Sequence, residues 1–351
     1  MAALDRRFDA RATIAVALPI GIAGAIAIAI GVAIDPDRAL ASYLAMWCAA
    51  ATLAFGALAF VQLGYATHAR WPTVVRHLGD AIARGLPAIA ILVVPLLVFA
   101  RHVWPDAEQA WLARPFFAAR TIIYLGAWIA IAETRARSPV TLLILGLTGT
   151  FAAFDWLMSL DPTWWSSGFG LYVLTRALAG GLALTILLAW RTSAPVTPAH
   201  FHALGRVLHA FVILWAYIAF FQAMLIQIAN LPSEVTFYLA RQRDGWRTVT
   251  WLLVVTGFAV PFCVLLSRRI KRHAGVMGAI AIVVVIAHVI DMYWLVIPRI
   301  AGPVPSWTDL AALAAIGGLS TSMCAWRAHG APILPVEDPL LAEGLRYETT
   351  T

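Results

Sequence analysis

The sequence predicts an all-α integral membrane protein with about ten transmembrane helices, and three observations support this fold class. Of 351 residues, 62% are hydrophobic and only 12% are charged, and the mean hydropathy is +0.82. A soluble domain usually carries about 25% charged residues. The apolar residues also gather in runs of about 20, the length that crosses a bilayer core of about 30 Å. A chain this poor in charge is suited to lipid as its solvent.

The apolar runs, labelled α1 to α10 in chain order, are joined by short polar connections with no soluble domain between them. α1 follows a basic start, lacks a convincing signal-peptide cleavage site and is longer than a signal segment, so we expect it to remain. α3 is the least regular run because Pro87 and Pro95 interrupt it. The runs lie near residues 13–34, 39–62, 84–102, 116–134, 139–159, 167–190, 207–230, 247–267, 275–297 and 307–326.

A short internal similarity divides the runs into two groups. Asp155 lies about two turns before Pro162 at the end of α5, and Asp291 lies about two turns before Pro298 at the end of α9. Duplication of a four-helix unit would explain this similarity, and chance is the alternative.

On the first explanation, residues 1–351 form one polytopic domain containing two four-helix bundles. The first bundle, α2 to α5, would span 39–159, and the second, α6 to α9, would span 167–297. α1 and α10 would be peripheral helices, and residues 327–351 would form a cytoplasmic tail.

The positions of the basic residues predict the orientation. The segments on the side of the two termini carry about twice as many Lys and Arg residues as the opposite loops, and the positive-inside rule therefore places both termini in the cytoplasm. The densest basic cluster runs from Arg268 to Arg272. The net charge of +7 thus reflects membrane topology, and we expect no nucleic-acid partner.

Charged side chains inside a span are costly, by at least about 2.5–3.5 kcal/mol each, and three stand out: Asp155, Arg176 and Asp291. Arg176 lies about 14 Å deep in α6, and we expect it to pair with Asp155, which would leave Asp291 without a partner charge. An unpaired buried carboxylate can exchange a proton near neutral pH. His288 lies three residues before Asp291 on the same helical face. It could relay a proton to Asp291, or it could be a structural histidine.

α7 carries a stripe of polar residues on one broad face, namely His209, Tyr217, Gln227 and Asn230. The stripe could line a hydrated proton path, or it could provide interhelical hydrogen bonds. On α6, Gly170, Gly180 and Gly181 predict close helix packing.

The sequence argues against metal and haem sites. The three cysteines lie inside apolar runs and form no CxxC motif or Cys/His cluster. A b-type cytochrome with two bis-histidine haems needs four histidines inside the membrane. Only His209 and His288 lie well inside runs, and His102 lies at the edge of one. We therefore expect no metal in this chain.

Five segments resemble the F subunit of alternative complex III, a bacterial quinol:electron-acceptor oxidoreductase. They cover α4 to α9, well over half of the chain, in the order of that family. The segments are PFFAAR (Pro115–Arg120), FDWLMSLDPTWWSSGFGLY (Phe154–Tyr172), a long block over α7 (Leu204–Trp246), VPFCVLLSRRIKR (Val260–Arg272) and VIDMYWLVIP (Val289–Pro298).

The resemblance implies a ten-helix subunit of the NrfD and polysulfide-reductase membrane type, in the inner membrane of a bacterium, within a respiratory or photosynthetic electron-transfer complex. Its partners would be a related quinol-binding membrane subunit, a periplasmic iron–sulfur protein and multihaem c-type cytochromes. Quinol, with menaquinol expected, haem c and iron–sulfur clusters would belong to those partners. This chain would be a non-catalytic subunit that conducts protons or anchors the others. Asp155 and Asp291 are the aspartates within the matching segments.

The chain departs from the family pattern at Thr163, Trp165 and Arg176, which leaves the details of a proton path at the periplasmic end open. The proton path that we expect uses Asp155, Asp291, His288, His209, Tyr217 and Arg176.

Two other functions remain alternatives. The chain could bind and oxidise quinol itself, with a carboxylate near the interface accepting the departing proton. Asp155, Arg176, Trp164 and Trp165 would then surround the quinone headgroup. The third class is a self-contained secondary transporter, which weak repeats and buried charges would also suit.

Overall fold

The computed structural model describes residues 7–104, 111, 113–192, 194–336 and 338–348, so residues 337 and 349–351 of the predicted tail lie outside it. Ten of its helices are long and apolar enough to cross a membrane, which confirms the predicted class of protein. The described residues contain no regular β-strand, only an isolated bridge between Arg7 and Pro332. The spans, α1 to α10, are Arg11–Ile34, Pro36–Ala66, Thr73–Val98, Arg114–Thr134, Pro139–Leu160, Phe169–Arg191, Pro198–Ala229, Trp246–Leu266, Ala274–Arg299 and Trp307–Ala328.

Local sequence signals define where several spans begin. Ser306 and Asp309 form a reciprocal capping box at the start of α10, and Thr197 and His200 form one at the start of α7. At the start of α2, the Asp35 carboxylate accepts a hydrogen bond from a backbone N–H of the first turn. These side chains satisfy backbone donors that have no partner within the helix.

α3 is broken into three short helices, Thr73–Ala83, Leu86–Ile91 and Val94–Val98, and a further short helix, Ala100–Val103, follows it. The prolines at 87 and 95 remove backbone donors, so the predicted irregularity of this span is confirmed. The helix begins eleven residues before the predicted start at 84, since its polar first turns are covered by protein instead of lipid.

That cover is the C-terminal tail. The Arg76 guanidinium lies 3.1 Å from the Asp338 carboxylate, and both side chains are buried. His200 lies 2.9 Å from the Gly344 carbonyl oxygen, and Leu341 packs near Val74. The described part of the predicted tail therefore packs against the first turns of α3.

α2 and α6 form the centre of the molecule. Within the most apolar window of each span, 89% of α2 and 67% of α6 is buried, against 22% for α1, α7 and α8. A Cβ added at Gly181 would lie 2.1 Å from the Ala57 nitrogen, so the glycine lets the two backbones approach closely, as predicted. α2 contacts α3 and α5 of its predicted bundle but also α6 and α9. The division into two bundles therefore stays a prediction.

α8 contains a π-helical segment over Val255–Ala259, between the α-helical parts Trp246–Val254 and Val260–Leu266. Pro261 follows the segment and removes one backbone donor from the helix. Single π-helical turns often occur at functional sites. This one lies beside a buried arginine of α6.

Candidate functional site: two buried aspartate centres

Asp155, near the end of α5, forms a hydrogen-bonded ion pair with Arg120 of α4. The guanidinium donates twice to the carboxylate, at 2.7 and 2.9 Å, and Tyr124 and Trp111 each donate to it at 2.9 Å. The guanidinium also lies 4.0 Å from the centroid of the Trp111 ring. We call these four residues the first centre. Its carboxylate accepts four hydrogen bonds, so its charge is well compensated.

Asp291 of α9 pairs with Arg176 of α6, and both side chains are almost completely buried. Tyr172 donates to one carboxylate oxygen at 2.5 Å. The Arg176 guanidinium lies 4.4 Å from the centroid of the Trp215 ring of α7. We call these four residues the second centre. A Cβ added at Gly257, in the π-helical segment, would lie 3.2 Å from a guanidinium nitrogen, so the glycine makes room for the arginine.

The two centres have the same residue types but differ in how completely they are hydrogen-bonded. In each centre an Arg and a Tyr four residues apart on one helix face an aspartate, and a tryptophan covers the Arg. In the second centre, Arg176 Nε and Asp291 Oδ2 are 3.2 Å apart but not aligned as a hydrogen bond. None of the three guanidinium nitrogens has a hydrogen-bond partner among the described residues. Buried polar groups are seldom left in this state.

The expected pairing of Arg176 with Asp155 is therefore wrong. Asp155 pairs with Arg120, and Arg176 pairs with Asp291, the carboxylate that was expected to have no partner charge. The prediction chose the carboxylate nearest to Arg176 in sequence. In the structure α4 packs against α5 and α9 packs against α6, and this packing brings together the pairs that are observed. Arg120 was missed because it lies close to the start of its run. The spacing of Arg120 and Tyr124 was the signal that could have revealed it.

Neither of the two predicted histidines forms a hydrogen bond with Asp155 or Asp291 among the described residues. His288 is buried, and its Nε2 lies 2.9 Å from the Thr52 hydroxyl of α2, while it forms no hydrogen bond with Asp291. His209 packs against Phe262 of α8, and its Nε2 has no partner among the described residues. His288 lies one turn from Asp291 on α9, whereas His209 does not join the second centre.

Tyr217 lies on the outer surface of α7, where 58% of it is exposed and it stacks on Phe221. It does not face the second centre. Gln227 of the same stripe is also exposed. Gln222, also on α7, is buried, and its Nε2 has no hydrogen-bond partner among the described residues.

The four residues of the quinone alternative do not meet. Asp155 and Arg176 belong to different centres, and Trp164 is buried and stacked on Phe237 with ring centroids 3.9 Å apart. Trp165 is 68% exposed and lines a groove of about 420 Å³ on the outside of α6 and α7.

Two further arginines, missed at the sequence level, cap the helices that carry the aspartates. Arg241 donates to the carbonyl oxygens of Trp294 and Leu295 at 3.0 and 2.9 Å, at the end of α9. Burial lowers the pKa of Arg241, though it stays protonated at neutral pH. Arg299 donates to the Leu160 carbonyl at the end of α5. Cationic groups at helix C-termini are favourable, so both aspartate helices have stabilised ends.

The described part of the chain contains no group of three or more His, Cys, Asp or Glu residues placed to hold a metal ion. No protein-family model matches the sequence, and no curated protein matches it. The assignment to a ten-span helical membrane protein therefore depends on the chain itself.

Proposed function

We propose that this chain is a metal-free membrane subunit of a quinol-oxidising electron-transfer complex of the alternative complex III type. In that complex it would contribute a proton path and anchor partner subunits. The second centre supports the proposal most directly. A carboxylate held by one tyrosine, beside a guanidinium without aligned hydrogen bonds, can gain and lose a proton at lower cost than a carboxylate with four donors.

In this mechanism Asp291 is the group that carries the proton. Tyr172 orients its carboxylate by a hydrogen bond. The charge of Arg176 stabilises the ionised carboxylate, although the two groups form no aligned hydrogen bond. Buried water commonly satisfies polar groups that lack a protein partner, and this mechanism requires water at the second centre to connect Asp291 to one membrane surface. Asp155 would have a structural role, since its four hydrogen bonds would have to break before it changed partners.

The outer face of α7 supports the anchoring role. Tyr217 is exposed within a span, where lipid offers its hydroxyl no hydrogen-bond partner. A neighbouring membrane subunit could provide one. The NrfD-type architecture, the two bundles and the cytoplasmic position of both termini are parts of this proposal.

The test is the Asp291→Asn variant in the purified complex, reconstituted in liposomes that contain a pH-sensitive dye. We expect quinol oxidation to continue, while the number of protons moved per quinol oxidised falls below the wild-type value, because the path through Asp291 is lost. Asp291→Glu should bring the number of protons per quinol back towards the wild-type value, because glutamate keeps a carboxylate at this position. An Asp291→Asn complex that moves protons as the wild type does would contradict the proposed path.

A second candidate function is direct quinol binding in the groove on α6 and α7. Gln222 lines this groove with a buried amide nitrogen that has no partner among the described residues, and Trp165 and Glu234 lie at its rim. The amide could donate to a quinone carbonyl, the indole could stack on the ring, and the carboxylate could accept a quinol proton.

A photoreactive quinone distinguishes the two functions. If this chain binds quinol, labelling should occur on α6 and α7 and should fall in Gln222→Leu but not in Gln227→Leu, whose side chain is exposed. Labelling confined to the related membrane subunit would exclude direct binding by this chain.

A further inference from the structure

A separate cavity of about 360 Å³ lies at the end of the molecule that carries both termini. It is bounded by α3, by the connection between α4 and α5, and by the segments that precede α1 and follow α10. Its ionisable lining residues are His77, Asp80, Arg84, Arg135, Arg137 and Asp338.

The charges of this cavity are unbalanced. Asp338 is occupied by its ion pair with Arg76. Asp80 is then the remaining carboxylate among the ionisable lining residues, and three guanidinium groups share the cavity with it. His77 lies 3.2 Å from the Pro332 carbonyl oxygen, which holds its ring against the tail.

Arg84 and Arg137 are each held at the cavity by a contact, and Arg135 is placed there by the end of α4. Arg84 donates to the Arg327 carbonyl oxygen at 3.4 Å. Arg135 ends α4 in a left-handed backbone conformation, with φ of 50°. The Arg137 guanidinium lies 4.6 Å from the centroid of the Tyr65 ring. None of the three forms an ion pair within the described part of the chain, so their charge is available to a ligand.

Two of the three arginines lie level with the ends of spans, where lipid headgroups are expected. Arg84 touches the last turn of α10, and Arg135 marks the end of α4. Further along the same helices, an apolar groove of about 450 Å³ is lined by residues of α1, α3 and α10. Its α3 residues, Ala88, Ile91 and Leu92, lie about 6–12 Å beyond Arg84 along the chain direction. A polar site at headgroup depth above an apolar groove matches the two parts of a phospholipid.

We propose that Arg84, Arg135 and Arg137 bind a phosphate group in this cavity. Guanidinium groups suit phosphate because their planar N–H donors match its oxygens. Two sources provide that chemistry, the headgroup of an anionic phospholipid and free phosphate in solution. The apolar groove favours the lipid, and basic pockets between spans are known to hold anionic headgroups.

The test uses the full chain in detergent, with phosphatidylglycerol or phosphatidylcholine added and the retained lipids counted by native mass spectrometry. We expect preferential retention of phosphatidylglycerol, reduced about fivefold by Arg84→Gln or Arg137→Gln. Arg191→Gln, an exposed arginine at the end of α6 on the same side, is the matched control and should leave retention unchanged.

Asp80→Asn gives a prediction of opposite sign. It removes the carboxylate that repels the phosphate, so retention should increase, a result that misfolding would not produce. Equal retention of the two lipids would exclude the lipid as the source. Titration calorimetry with inorganic phosphate then tests the other source. Phosphate binding that is weaker in Arg137→Gln than in the wild type would indicate that the ligand is a soluble anion. The absence of both kinds of binding would overturn the proposal.

Discussion

At the scale of single residues, the two buried aspartates differ in how many donors hold them. Asp155 accepts from an arginine, a tyrosine and a tryptophan, whereas Asp291 accepts one aligned hydrogen bond, from a tyrosine. The same residue types therefore produce one rigid ion pair and one with unused hydrogen-bonding capacity. This difference leads us to assign proton transfer to the second centre and stability to the first.

Asp155→Asn should destabilise the protein by about 3–5 kcal/mol, because it leaves the Arg120 charge buried without its partner. The double variant Arg120→Met/Asp155→Leu should recover most of that loss, since no unpaired charge remains. Thermal unfolding in detergent measures both. Asp244→Asn, at an exposed residue, is the control and should have little effect. A first centre that tolerates Asp155→Asn would show that its hydrogen bonds contribute little.

Lys271, in the connection between α8 and α9, predicts a dependence of stability on pH. Burial, together with the nearby Arg206, lowers the pKa of Lys271 below its ordinary value of 10.5. Between the lowered pKa and 10.5 the unfolded chain binds more protons than the folded one, so this residue makes stability rise with pH.

The Lys271→Met variant should therefore be more stable than the wild type at neutral pH, with the difference shrinking as the pH approaches 10.5. Melting temperatures measured across that range check this. Lys271→Arg keeps the charge and should bring no such gain. A constant difference at every pH would mean that the methionine acts through packing alone.

At the scale of helices, close approach between α2 and α6 determines the centre of the fold. Gly181 lies against α2, and Gly56 lies against Ala177 of α6, where an added Cβ would be 1.8 Å from a carbonyl oxygen. Backbone atoms cannot move aside as a flexible side chain can. Small residues are therefore required at these two positions.

Gly181→Ala should cost about 1–3 kcal/mol through overpacking, because the helices would have to separate. Gly146→Ala, on α5, is the matched control, since no atom lies within 4 Å of its added Cβ. Unfolding by a denaturing detergent compares the two variants. Similar stability for both would show that α2 and α6 separate without cost.

At the scale of the whole molecule, ten crossings, the number that the apolar helices of the described residues allow, would place both termini on the same side of the membrane. The basic residues predict that this side is the cytoplasm. Cysteine labelling in spheroplasts tests the orientation, in a Cys263→Ala background that removes an exposed native thiol.

A membrane-impermeant maleimide should label Arg243→Cys, in the connection between α7 and α8, without permeabilisation. It should label Glu343→Cys, near the C-terminus, only after the membrane is opened. Both residues lie at exposed positions, so accessibility on each side depends on topology. The reverse pattern would invert the orientation and place the arginine cavity outside the cell.

The sequence by itself determined the class of protein, because the length and hydrophobicity of each run are local properties that lipid selects directly. It also identified Asp155, Arg176 and Asp291, since a charge inside an apolar run is visible without knowing its neighbours. Only the tertiary structure decided which charges pair. Arg120 reaches Asp155 and Arg176 reaches Asp291 because of which helices pack together, and spacing along one chain does not specify that packing. The early start of α3 was hidden for the same reason, since Arg76 is buried by Asp338, 262 residues away in sequence.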